Sequence, residues 1–201
     1  MVYNVSYRRV FFTLLAMMLL WLLTSCNQAN PPPIERDFTT MDLLLAIEAM
    51  PSGWEVVEGT PRPMLSNDGG PDDSYILFKP ATERANMARH FVWHFDSVER
   101  AERWYERRIL SEFNSNSIAN EVPWQTPPTW SFSSSNAQQF YAACATTHVL
   151  SPTRVCKGMW QYDEFVVVFS SSIRPEYLMT EGKFEEIVEK IDQVLAVHLD
   201  R

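Results

Sequence analysis

An unbroken apolar run from Val10 to Leu23, preceded by Arg8 and Arg9 and closed by Thr24-Ser25-Cys26, decides where the rest of this chain has to fold. Arginines stay on the cytoplasmic side while an apolar run enters the export channel. The run is shorter than the ~20 residues a spanning helix needs, so it reads as the apolar region of a signal peptide. Everything after it is expected outside the cytoplasm, in a compartment where disulfides form.

Two small residues and a cysteine close the run, where an ordinary signal peptide has an A-x-A box. Leu23-Thr24-Ser25-Cys26 resembles the lipobox of the bacterial lipoproteins, an aliphatic residue and two small residues before a cysteine. The resemblance covers residues 1–26. It implies a diacylglyceryl group on the Cys26 thiol, cleavage between Ser25 and Cys26 by a type II signal peptidase, and acylation of the new amino group. Several acyl chains bury many methylenes at ~0.8 kcal/mol each, which anchors a protein stably to the lipid bilayer. An uncleaved anchor, the other reading, also leaves the domain outside. Tyr7-Arg8-Arg9-Val10-Phe11-Phe12 resembles part of a twin-arginine export signal but lacks its flanking polar residues, which favours the ordinary secretory route.

Removing residues 1–25 takes away two arginines and no acid, so 17 basic residues become 15 against 25 acidic and the net charge moves from −8 to −10. Such a domain repels phosphate backbones, and nucleic acid is not expected as a partner. Cys144 and Cys156 remain as an even pair in an oxidising compartment, and a bridge between them is expected, with two free thiols as the alternative. On the chain-entropy account, a bridge closing a loop of that size stabilises by about 3 kcal/mol. Its spacing is not that of a C-x-x-C redox or zinc motif.

The chain divides into a signal peptide (1–25), a lipidated cysteine with a proline-rich tether (26–37) and one domain (38–201). Pro31, Pro32 and Pro33 favour an extended spacer rising ~3.1 Å per residue. Hydrophobic periodicity predicts a helix over 40–50, ended by Pro51-Ser52-Gly53. Strands are predicted over 54–57, 74–79, 89–95, 130–132, 138–147, 154–162 and 165–171. Amphipathic helices are predicted from Asp96 or Ser97 to about Phe113, where Glu99 would complete a capping box with Asp96, and over 180–198. Residues 59–73 and 114–129 read as loops. The order strand, strand, helix occurs twice, which suggests related halves. The expected fold class is α+β, a mainly antiparallel sheet with helices packed on one face.

Motifs that carry chemistry are sparse. His90 and His94 have metal-ligand spacing for a helix, but on a strand they lie ~13 Å apart, too far for one ion. His148 falls in the turn between the strands that carry the two cysteines, and His198 at a helix C-terminus, where a cation suits the dipole. Asp68, Asp72 and Asp73 lack the ligand alternation and closing glutamate of a calcium loop. There is no G-x-S-x-G elbow and no phosphate-binding glycine loop. No metal or cofactor is expected. Trp124, Trp130, Phe132, Trp160 and Tyr162 offer an aromatic groove for a glycan or peptide, or else serve as core and loop anchors.

The segment from Val155 to Val194, with a cysteine before a strand that ends in Phe165-Val166-Val167-Val168-Phe169 and then an amphipathic helix, resembles the extracytoplasmic sensor domains of some bacterial receptor kinases. The resemblance implies an extracytoplasmic binding module and assigns no binding residue. The leading expectation is a non-catalytic envelope lipoprotein that binds a small ligand or an envelope protein. The alternatives are an envelope hydrolase with a site assembled from distant residues and a structural subunit of an envelope complex.

Overall fold

The computed structural model describes residues 35–64, 72–85, 87–114, 120–147 and 152–199, all within the unit formed by residues 34–201. Ser25, Cys26, Asp68, His148 and the prolines of the tether lie outside the described residues.

The sheet is built outward from its most apolar strand. Phe165 to Phe169 concentrates β-branched and aromatic residues, which favour strands, and forms β8 (Phe165–Ser172). This strand lies between β4 (Ala88–His94) and β7 (Thr153–Tyr162). It is antiparallel to both. β7 reaches β8 through the two-residue turn Asp163-Glu164, in which Asp163 adopts φ 45°, the left-handed backbone that tight hairpins need and aspartate tolerates. On one side the sheet continues through β3 (Ser74–Pro80) to β1 (Trp54–Val56), with β2 (Arg62–Pro63) also on β3. On the other it continues through β6 (Gln139–Thr147) to β5 (Asn120–Gln125).

Successive side chains on a strand point to opposite faces, so β8 feeds two cores. Phe165, Val167 and Phe169 join Trp160, Tyr162 and Phe78 in the larger one, which also holds Phe184, Ile187, Ile191 and Leu195 of α2 (Glu181–His198). Val166 and Val168 join Met159 in the smaller one, covered by Ala101, Trp104 and Tyr105 of α1 (Val98–Glu112). The fold is α+β, a mainly antiparallel sheet with helices packed on it, and the helices divide between its two faces. A strand buried on both faces reads as a continuous apolar run, and Val166-Val167-Val168 is that signature. Both strand–strand–helix units are present. A two-fold axis relating antiparallel β4 and β8 would keep both helices on one face, so the units are not symmetric copies.

Capping follows local chemistry. Ser97 accepts from the Arg100 amide and Thr180 from the Lys183 amide. Asp96 pairs with Arg100 at 2.8 Å instead of forming a capping box.

Several elements differ from expectation, two of them because a side chain claims backbone amides. The helix predicted over 40–50 is a set of turns ending in a 3-10 turn, η1 (Ile47–Ala49). The amides of Asp42, Leu43 and Leu44 bond three residues back. The Leu45 amide donates to His90 Nδ1 at 3.0 Å, and the helix does not propagate. Residues 130–132 form a loop, because the amides of Ser131 and Phe132 donate to Glu185 on α2 at 2.6 and 2.8 Å. Residues 120–125, read as loop, form the edge strand β5 with register shifts. Arg36, read as tether, is fastened to the domain, its guanidinium donating to both oxygens of the buried Glu164 carboxylate at 2.7 and 3.0 Å. Cys144 and Cys156 stand directly opposite each other on β6 and β7, fully buried, and are joined by a disulfide.

Candidate functional site: a half-covered sheet face

The register sets side chains of the α1 face in rows across the strands. Tyr75, Phe91, Val168 and Met159 form one row, and Leu77, Arg89, Ser170 and Lys157 the next. A third row pairs Ser172 with Val155, and Met87 flanks it through a bond from the Ser172 amide to its carbonyl. α1 covers Val168 and Met159. The aromatic end of the first row and most of the next two stay open, forming a cleft of about 520 Å³.

One wall is aromatic. Tyr75 and Phe91 stack at 5.7 Å, Phe91 and Trp93 at 5.4 Å, and Trp93 meets Trp104 of α1 at 4.9 Å, so the cleft wall is continuous with the smaller core. Offset ring contacts of this kind are worth ~0.5–1.5 kcal/mol each beyond the area they bury. The Arg62 guanidinium sits 5.1 Å over the Tyr75 ring and also donates to its hydroxyl.

Cations lie in the cleft and beside it. Arg89 Nε donates to Ser170 Oγ at 3.0 Å. Lys157, nearly buried, pairs with Glu112 at the end of α1 and holds its ammonium 5.5 Å over Phe113 and 5.1 Å over Trp124. Arg108 binds the same carboxylate at 2.8 Å. Burial pushes the Glu112 carboxyl up, but Lys157, Arg108 and Arg89 together outweigh it and hold the group below its ordinary range. Three cations thus share one carboxylate. Neither Arg62 nor Arg89 has a carboxylate ion-pair partner among the described residues.

The lining offers hydroxyls, a guanidinium and apolar surface, and no histidine, cysteine or carboxylate among the described residues. Hydroxyls, a guanidinium and apolar surface on one concavity are groups that can hold a molecule.

The residues singled out from sequence are dispersed. His90 and His94 share β4 but do different things. His90 is fully buried, and burial lowers its pKa to about 3. Its Nδ1 accepts from Leu45, and its ring meets Phe169 edge-on at 6.1 Å. His94 stacks on Phe165 at 4.6 Å, with Asp72 at 3.7 Å. His198 Nδ1 contacts the Val194 carbonyl at 2.9 Å. Asp73 is buried and accepts from the His94 amide at 2.9 Å. Cys144, Cys156 and Glu181 form the one three-residue group with metal-ligand proximity among the described residues, and its two sulfurs are bonded to each other.

The aromatic candidates serve as anchors. Trp160 and Tyr162 are fully buried, Trp124 packs on Phe113 at 5.1 Å, and Trp130 stacks on Phe184 at 5.5 Å. Trp130 and Phe132 do line a hollow of about 200 Å³ beneath their loop. An apolar trough of about 430 Å³ runs between Leu45 and Ala49 on one side and Val194 and Val197 on the other. Sequence reasoning passed over Tyr75, Arg89, Phe91 and Ser170. Their signal was present in β8, where a valine run changes abruptly to Ser170-Ser171-Ser172.

No protein-family model matches the chain, and no curated protein matches it. Among solved structures it is similar to the extracellular domain of PknH from Mycobacterium tuberculosis, at 10% identity and a TM-score of 0.48, over 81% of this chain and 97% of that one. At that level of likeness no residue role passes from one chain to the other.

Proposed function

We propose that this chain is a lipid-anchored extracytoplasmic lipoprotein whose domain is a non-catalytic binding module, with the open cleft between β3, β4, β8 and β7 as its binding site. The observation that carries the reading is the contrast within one sheet face. Beside a packed core under α1, an aromatic wall and the Arg89 guanidinium, which has no carboxylate ion-pair partner among the described residues, line a concavity of about 520 Å³, a size suited to a small ligand.

The address is supported by the basic flank, apolar run and lipobox of residues 8–26, and by the disulfide, which persists in oxidising compartments. No helix among the described residues is long and apolar enough to cross a membrane. The anchor in this reading is the acylated Cys26.

Two measurements test it. Intact mass of the protein extracted from membranes should show loss of residues 1–25, the added acyl chains and one disulfide, and Cys26→Ala should abolish both cleavage and acylation. A ligand-observed NMR screen of the full chain in lipid nanodiscs, using neutral, cationic and anionic fragments, should give hits that Phe91→Ser removes. A screen without such hits overturns the binding module, and turnover of ester, glycan or peptide substrates would favour the hydrolase.

A further inference from the structure

We infer that the cleft takes an amphipathic oxyanion, a carboxylate or phosphate group carried on an apolar body. The anion sits against Arg89 and Ser170, and the body lies on the Tyr75–Phe91 wall. This rests on the reading of the cleft as the binding site and adds its charge preference and the pose.

The donor count comes first. A guanidinium offers five N–H groups in a planar fork suited to two oxygens of one anion. Arg89 spends Nε on Ser170. Because Ser170 Oγ is the acceptor in that bond, its own proton is free to be donated, and Arg89 and Ser170 are cross-strand neighbours in register. The two side chains therefore present donors to one point above the sheet.

Local charge agrees. Glu112 is a carboxylate that Arg89 acts on electrostatically, and it already holds Lys157 and Arg108. Lys157 lies directly across β8 from Arg89, opposite Ser170, and Arg62 stands over Tyr75 at the other wall. A cationic ligand would meet this surplus unfavourably. The domain's overall acidity does not offset it, since charges beyond ~8 Å are screened at physiological ionic strength.

The apolar half follows from the neighbouring row. Tyr75 and Phe91 are half-buried and stacked, with Leu77 beside them. An anion without an apolar body would leave that wall in water, and an apolar molecule without an anion would leave the Arg89 fork unused.

The full chain in nanodiscs, titrated calorimetrically with 4-phenylbutyrate, its neutral amide and inorganic phosphate, tests the assignment. The acid should bind at least about tenfold more tightly than the amide, and phosphate should displace the acid. Arg89→Gln, at an exposed position, should erase the preference for the acid without moving the denaturation midpoint. Phe91→Ser should weaken acid and amide alike. Equal affinity for acid and amide, or a preference that survives Arg89→Gln, overturns the oxyanion while leaving the cleft as a binding site, provided Phe91→Ser still weakens both. Absence of binding by the acid at about 10 mM overturns this ligand class outright, and the binding module is then judged by its own fragment screen.

Discussion

The two faces of the sheet are built from the same strands and differ in how many elements cover them. The larger core lies under three: α2, the turns over 39–50 and the loop over 126–138. That loop is strapped down by α2 carboxylates, Glu185 taking the Ser131 and Phe132 amides and Asp192 taking the Ser134 hydroxyl and Asn136 Nδ2. The other face has one helix of 15 residues, ~22 Å long, and the sheet outruns it. Where the helix stops, the side chains change from Val166 and Val168 to Ser170 and Ser172 on the same strand and the same face. Open surface in this molecule lies where cover runs short, and polarity appears on the strand at that point.

Breaking the sealed face should cost most. Phe169 is fully buried, stacked on Phe184 at 5.3 Å, and Phe169→Ala should lose about 3–5 kcal/mol of stability by urea denaturation. Losing less than about 1 kcal/mol would mean that this core repacks easily. Replacing Cys144 and Cys156 together by alanine should cost about 3 kcal/mol, since the bridge closes a 12-residue separation within the same core. Reducing agent should lower the midpoint of the native protein and leave the double variant unmoved.

Much of this was legible in the residues. The central strands, the two-residue turn, both long helices and the cysteine pair follow from β-branched runs, turn chemistry, capping serine and threonine, and an even cysteine count after Cys26 is set aside. The helices were expected on one face, and the structure divides them between two because Val166 and Val168 point away from Val167 and feed a second core. What stayed hidden depends on contacts distant in sequence. His90 takes the Leu45 amide from 45 residues away and stops a helix that local periodicity favours. Glu185 draws the amides of Ser131 and Phe132 into a loop from more than 50 residues away. The cleft was hidden for the same reason. Tyr75, Arg89 and Ser170 are ordinary strand residues until the register lines them up across three strands.

Close packing on the sealed face sharpens the contrast further. A Cβ at Gly158 would stand 2.6 Å from the Trp160 ring, and that ring is itself fully buried with no room to yield. Gly158→Ala should cost about 1–3 kcal/mol and shift the tryptophan fluorescence.

His90 ties the same face to pH. Its folded pKa is about 3, against 6.5 for the free side chain. Between those values the unfolded chain binds the extra proton, so stability rises with pH through the window. The contribution is complete above pH 6.5 and is lost as pH falls toward 3. From about pH 6 to about pH 5 the loss should approach 1 kcal/mol. His90→Gln, which keeps an acceptor for the Leu45 amide, should flatten that slope, and an unchanged slope would assign the titration to another group.

The open face should show the smallest effect on stability and the largest on binding. Arg89 is exposed, and its hydrogen bond runs to Ser170, a buried residue whose side chain still lines the cleft. Exposed substitutions away from packed contacts stay within about 0.5 kcal/mol. Arg89→Gln should therefore denature with the native protein while losing its preference for an anion. Phe169→Ala should show the reverse, reduced stability with ligand preference retained in the folded fraction. If Arg89→Gln instead unfolds the domain as Phe169→Ala does, the guanidinium belongs to the packing, and the division between a sealed face that holds the fold and an open face that holds a ligand collapses.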